Sequence, residues 1–215
     1  MYIALEGIKG VGKTTILTHL KTLLAESMGK YRFDVISPTH STPDDHPLEV
    51  QYAHEPDNDE LREQVYAHRS NYHASHTDWQ ADMIIGDRSI ITSLAVRWHR
   101  VNNGLSALSH FKQVRAKEHL IAIPDVVIQL DCDADKLLQR YALRERCYGK
   151  QEECLEAILA LKQHYQSVNH WLKTQEAIDT VGKNIDWIAL DTSHDGYLTV
   201  LEQVFMIVQM SMQKI

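Results

Sequence analysis

What this 215-residue sequence lacks is the first guide to its function. No apolar run approaches the ~20 residues needed to span a bilayer. The longest candidate, Val204 to Met212, is broken by Gln209 and Ser211. No basic stretch near the amino terminus leads into a signal-type apolar segment, so the expectation is a soluble, cytoplasmic protein with no membrane partner. Cysteine is scarce too. Cys132, Cys147 and Cys154 are an odd number without metal-type spacing, which reads as free thiols in a reducing compartment. Basic residues are outnumbered: 22 Lys plus Arg face 29 Asp plus Glu, a net charge of −7. A nucleic-acid coat would carry the opposite balance, so nucleic acid is not an expected partner. Any polyanion must meet a local basic pocket.

The rest of the composition is ordinary for a globular chain, with 44% hydrophobic and 24% charged residues. The length suits one domain over 1–215 better than two. Tyr2-Ile3-Ala4-Leu5 reads as a buried strand, and Val35-Ile36, Met83-Ile84-Ile85, Val126 to Asp131 and Ile185 to Leu190 as four more apolar strands. Helical spacing predicts helices from the phosphate-loop region to about Met28, Asp59 to Ala81, Ser89 to Arg100 and Ala107 to Ile121. Further helices are predicted after Asp133, over Gln151 to Glu176, and through Leu198 to Val208. Pro38 to Asp57 carries four prolines and little periodicity and reads as a long loop. Strands alternating with helices imply an α/β fold, a five-stranded parallel sheet with helices on both faces. Ligands then sit at the carboxyl ends of the strands.

The first strand delivers Gly7-Ile8-Lys9-Gly10-Val11-Gly12-Lys13-Thr14, a Walker A pattern at every fixed position, with Thr15 after it. Its glycines let backbone N–H groups wrap phosphates, and the following helix adds positive potential. Lys13 would bridge the terminal phosphates and the Thr14 hydroxyl would ligate Mg²⁺, so residues 7–15 form the expected ATP site. A GTPase also needs Asn-Lys-x-Asp after a strand, and none appears.

Three later segments share a resemblance. Gly86-Asp87-Arg88-Ser89, continuing to Ser93-Leu94-Ala95, is similar to the Asp-Arg-Tyr segment of thymidylate kinases. Ala67-His68-Arg69, with Val65 and Tyr66 upstream, resembles that family's Phe-Ala-x-x-Arg helix. Pro124-Asp125-Val126 to Asp131 resembles its Pro-Asp strand, followed by Leu137 and Arg140. The resemblance implies a P-loop nucleotide kinase with a mobile arginine-bearing lid, transferring the ATP γ-phosphoryl group to dTMP with Mg²⁺. It makes Asp87 a second metal ligand and Arg88 the holder of the acceptor phosphate. It gathers Lys9, Val65, Tyr66, Arg69, Ser93 and Val96 around the acceptor, with Arg69 reaching the base. A lid near 140–152 would supply Arg140 and Arg144, which lie four apart and project from one helical face. Arg146 and a hinge at Cys147-Tyr148-Gly149 would follow.

The sequence also departs from that family. Its Arg-Glu-Pro-Gly segment after the second strand has no clear counterpart beyond Pro38 or Pro43. The lid reads Arg144-Glu145-Arg146 where Asp-Arg-x-Glu is usual. Lys9 stands where a carboxylate is common, and Val96 where a tyrosine crowds the ribose 2′-hydroxyl position. Two alternatives stay open. One is a deoxynucleoside kinase, because Asp87-Arg88-Ser89 also resembles that family's motif. Such an enzyme would use a carboxylate base just after the second strand, and Ser37-Pro38-Thr39-His40 offers none. The other is a nucleotide-binding regulatory protein without turnover. Homodimerisation is left open. His73 and His76 could share a metal with His46 or Asp45, but no metal-site spacing supports it, and they read as surface residues.

Overall fold

The computed structural model describes residues 1–43, 46–55, 58–143 and 153–213. Five parallel strands lie in the order β2-β3-β1-β4-β5, with β1 (Tyr2–Glu6) at the centre. β2 is Phe33–Ile36, β3 Met83–Asp87, β4 Val126–Asp131 and β5 Asp186–Asp191. Every residue of β1 and β3 is buried. Side chains of a strand alternate between faces, so both faces of the sheet centre are covered. One group of helices is α1 (Lys13–Ser27) packed with the last helix, Tyr197–Met212. The other centres on α4 (Ile90–Val96), which packs against Asp59–Ser75, Ala107–Lys117 and Leu155–Leu172. In chain order the remaining helices are α2 (Pro47–His54), α3 (Asp59–Ser75), α5 (His99–Asn102), α6 (Ala107–Lys117) and α7 (Ala134–Ala142). They are followed by α8 (Leu155–Leu172), α9 (Gln175–Val181) and α10 (Tyr197–Met212). No helix of the described residues is long and apolar enough to cross a membrane.

The register sets up the site. Leu5 pairs with Asp87 on one side and with Ile128 on the other, so the chain leaves β1 between the ends of β3 and β4. The phosphate loop therefore emerges beside Asp87 and Arg88.

Where helices depart from the expected spans, local capping explains it. Residues 38–57 are not wholly a loop, because α2 forms with Pro47 in its first turn and His46 Nδ1 accepting from the Leu48 N–H at 3.3 Å. None of its residues is buried, so it has no apolar stripe to betray it. Asn58 caps α3, accepting from the Leu61 N–H at 3.1 Å. That helix stops at Ser75, where Thr77 Oγ1 and Trp79 Nε1 donate to the carbonyls of His73 and Ala74. The expected helix over 151–176 breaks at Thr174, whose hydroxyl donates to the Trp171 carbonyl and accepts from the Ala177 N–H, starting α9. The helix expected to Arg100 is likewise two, α4 and α5, and that expected to Ile121 ends at Lys117.

One buried acid makes the fold pH-sensitive. Burial pushes the Glu118 carboxyl up to about 7, against a hydrogen bond from Ser93 and the charge of Arg97. The unfolded chain titrates near 4.5, so between these values the folded state binds the extra proton. Stability is then full below the unfolded value and falls as pH rises to about 7, by up to ~3 kcal/mol. Glu118→Gln should flatten the fall in thermal midpoint between pH 5 and pH 8. An equally steep fall in the variant would remove Glu118 as its cause.

Candidate active site

The phosphate loop is shaped by contacts that only glycine permits. Gly7 has φ +126°, and a Cβ there would sit 2.2 Å from the Leu130 carbonyl oxygen. Gly10 has φ +91°, and a Cβ would meet the Tyr141 ring at 2.7 Å. The loop thus lies tight between the end of β4 and α7, and its amides run into the amino end of the 15-residue α1. That arrangement attracts anions. Lys13 is buried and donates to the carbonyls of Gly7 and Ile8, at 2.9 and 2.8 Å. The Thr14 hydroxyl donates to Asp87 Oδ2 at 3.2 Å, while Thr15 is exposed on the next position of α1. His40 Nε2 stands 3.7 Å from the same Asp87 oxygen.

Arg88 follows at the end of β3 in a left-handed backbone conformation, φ 78°, the one non-glycine residue among those described to adopt it. Its Nη1 donates to the Gly7 carbonyl at 3.1 Å, to Thr92 Oγ1 at 3.2 Å and to Tyr165 OH at 3.4 Å. Burial disfavours its charge, but the nearby Tyr165 and Glu6 oxygens raise its pKa overall. Beneath it lies Glu6, fully buried, accepting from Ser89 Oγ, Thr92 Oγ1 and Tyr165 OH at 2.7, 2.7 and 2.9 Å. Sequence reasoning passed over Glu6 and Tyr165. An acid at the last position of an otherwise apolar strand was the available signal for the first. Tyr165 comes from α8, and nothing local in sequence ties it to the loop.

A cavity of about 200 Å³ opens beside Arg88. The phosphate loop contributes Ile8 and Lys9, α3 Arg62 and Tyr66, and α4 Thr92 and Val96. Tyr141 closes it from α7 and the Ala157 to His164 face from α8. Among the described lining residues there are three cations, Lys9, Arg62 and Arg88, and no carboxylate. Lys9 Nζ is paired with Glu153 Oε1 at 2.6 Å.

Several expected site residues lie elsewhere. Val65 is fully buried and Ser93 nearly so, and neither lines the cavity. Arg69 faces residues 39–49 instead: its guanidinium donates to both Glu49 oxygens at 2.6 and 2.5 Å, to the Thr39 carbonyl and to Ser41 Oγ. Arg140 is bound to the Gly10 carbonyl at 3.2 Å and to Thr192. In this arrangement it braces the phosphate loop and does not reach over it. Arg144, Arg146 and the Cys147-Tyr148-Gly149 hinge lie outside the described residues, as does Asp45. His46 stacks on His68 at 3.8 Å, and His73 Nε2 bonds the His40 carbonyl.

The family model described as thymidylate kinase matches residues 5–185, from the end of β1 to the start of β5. The chain belongs to the thymidylate kinase family. Membership makes it an ATP-dependent nucleotide kinase, with ATP and a nucleoside monophosphate as the family's substrates. Solved structures resemble this family member in fold. A thymidylate kinase from Candida albicans superimposes with a TM-score of 0.61 at 16% identity, covering 98% of this chain and 91% of that one. A deoxyadenosine kinase from M. mycoides with bound dCTP gives 0.60 at 17% identity, covering 97% and 99%. The same enzyme with bound dATP gives 0.61. Among curated protein sequences nothing matches the chain.

Proposed function

We propose that this family member transfers the ATP γ-phosphoryl group to a deoxynucleoside monophosphate, dTMP above others, giving dTDP. The observation that carries the reading is the charge of the cavity beside Arg88. Lys9, Arg62 and Arg88 line it, no described lining residue is a carboxylate, and the nearby Glu153 and Asp59 are each held in an ion pair by one of those cations. A neutral nucleoside hydroxyl would want a general base there. A monophosphate has its second pKa near ~6 and arrives as a nucleophilic anion that cations can hold.

Each residue then has a part. The loop amides and Lys13 take the terminal phosphates of ATP, Lys13 exchanging the Gly7 and Ile8 carbonyls for phosphate oxygens. Thr14 Oγ1 and the Asp87 carboxylate are adjacent hard oxygen donors, the type that suits Mg²⁺. Held there, the ion would supply positive charge against the negative charge that develops on the terminal phosphates during transfer. Arg88 holds the acceptor phosphate, since a planar guanidinium can bind two oxygens at once. Glu6, Thr92 and Tyr165 fix its direction from beneath. Lys9 adds a second cation on the acceptor side once it leaves Glu153.

Coupled ADP release with dTMP, dUMP, UMP, dCMP and thymidine tests the reading. Turnover of thymidine without any monophosphate would overturn it, and ATP binding without turnover would favour a regulatory protein. The sugar edge carries its own expectation. Val96 lines the cavity and leaves room beside the sugar, so ribonucleotides should be rejected poorly. Val96→Tyr should sharpen the dTMP-over-UMP ratio in kcat/KM by roughly 10- to 200-fold, the worth of one such steric contact. An unchanged ratio would place the sugar elsewhere.

A further inference from the structure

We propose that the hydroxyl of Tyr2, which starts β1 at the end away from the phosphate loop, is a positioning group for Arg88. By donating to the Arg88 carbonyl it holds the backbone turn that aims the guanidinium into the cavity. The proposal rests on the reading of Arg88 as the holder of the acceptor phosphate and adds to it what keeps that arginine in place.

Arg88 needs such a support. Its left-handed backbone, φ 78°, is strained beside glycine, and a strained turn persists only where its surroundings over-determine it. Both of its peptide groups are held from β1. The Arg88 N–H donates to the Leu5 carbonyl at 3.0 Å, which fixes the entry to the turn. The Arg88 carbonyl accepts from Tyr2 OH at 3.3 Å, which fixes the exit. Tyr2 pairs with Ile84, so its ring shares a sheet face with position 86. Gly86 leaves that face open. A Cβ there would sit 2.4 Å from the Arg88 carbonyl oxygen and 2.8 Å from Tyr2 OH. Hydroxyl and carbonyl therefore meet over a residue with no side chain to part them.

The phenol is itself held. Tyr2 is buried, and burial together with the charges of Glu6 and Glu118 raises its pKa well above the usual phenol range, so it stays a donor. Its ring packs edge-to-face with Trp79, centroids 5.6 Å apart, and Trp79 Nε1 is tied to the Ala74 carbonyl at 2.8 Å. On the β4 side the Tyr2 N–H donates to Asp125 Oδ2 at 2.7 Å, while its carbonyl accepts from the Asp125 N–H at 2.8 Å. Lys183 pairs with the Asp125 carboxylate and donates to the Ile123 carbonyl at 2.8 Å. The Pro124-Asp125 segment thereby gains a use that its place in the fold conceals. Asp125 precedes β4, at the end of the sheet away from the phosphate loop, and does not line the cavity. Its hold on Tyr2 reaches the site through the phenol.

Without the hydroxyl the turn keeps one of its two backbone anchors. It can then relax toward ordinary backbone conformations, carrying the guanidinium off the Gly7 carbonyl and Thr92. The phosphate loop and Lys13 keep their own contacts, so the loss belongs to the acceptor side.

Tyr2→Phe keeps the ring and removes only the hydroxyl. Steady-state transfer by the full chain should show kcat/KM for dTMP reduced about 5- to 10-fold, the worth of one net hydrogen bond. The reduction should combine a higher acceptor KM with a lower kcat, and ATP affinity by calorimetry should be unchanged. Adding Tyr2→Phe to Arg88→Ala should weaken dTMP binding no further than Arg88→Ala alone, because the hydroxyl acts through the guanidinium. Wild-type kinetics in Tyr2→Phe, whatever its melting midpoint, would make Tyr2 a packing residue and overturn the proposal. A loss shared equally by ATP and acceptor, or one that adds fully to that of Arg88→Ala, would overturn it too. A wild type that neither binds nor phosphorylates any monophosphate overturns the acceptor reading of Arg88, and this proposal with it.

Discussion

Lys13→Ala is expected to lower kcat by ~10²–10³-fold or more, the loss typical when one preorganised charge is removed from a developing anion. The ammonium sits inside the loop, between the Gly7 and Ile8 carbonyls, where the γ-phosphate charge would develop. Folding should survive. The two carbonyls lose their donor, which costs about 1 kcal/mol each at most once water enters, and the glycine conformations that shape the loop do not depend on the side chain. Circular dichroism and a thermal melt would establish the fold, and ADP release the loss. A variant retaining a tenth of wild-type turnover would show that the transferred phosphate does not lie in this loop.

Arg88→Ala should be nearly as damaging but with a different signature. Its guanidinium lines the cavity beside the phosphate loop while its Nη1 rests on Gly7, so if that cavity takes the acceptor as proposed, the loss falls on the acceptor side. We expect acceptor KM to rise and kcat to fall together, for a combined loss in kcat/KM of ~10³-fold. The affinity for ATP, measured by calorimetry without acceptor, should change little. Selective loss of ATP binding would contradict the placement. The glutamate beneath it supplies a control: Glu6→Gln keeps the shape but weakens the anchor for Thr92 and Tyr165, so it should act on the same kinetic parameters more mildly.

The fold was largely legible because it depends on local patterns. Apolar runs mark each of the five strands, and the phosphate-loop motif sits where strand gives way to helix, so order and chemistry came together. Element ends were less legible. They turn on single side chains such as Asn58, Thr174 and His46, which cap without altering periodicity. The site divides in the same way. Residues of the loop and of the Asp87-Arg88 turn are contiguous in sequence and meet in space through the β1–β3 register. Tyr165, Arg62 and His164 meet that centre only through packing of α3 and α8, and no spacing rule links residue 62 to residue 164. Arg69 shows the opposite problem. Its motif resemblance concerns sequence, whereas its direction is set by Glu49 on a helix with no apolar stripe to announce it. The arginines at 144 and 146 fall outside the described residues.

The backbone of Arg88 has an evolutionary consequence. At φ 78° any side chain is strained, by ~1–2 kcal/mol relative to glycine. The usual ranking therefore reverses here, and Arg88→Gly should melt higher than Arg88→Ala although both should lose most of their transfer. Random drift at this position would move toward glycine and toward a quieter, sturdier protein that still holds nucleotide. An arginine on such a slope spends stability for the contacts of its guanidinium, so stability and transfer should trade against each other at this position.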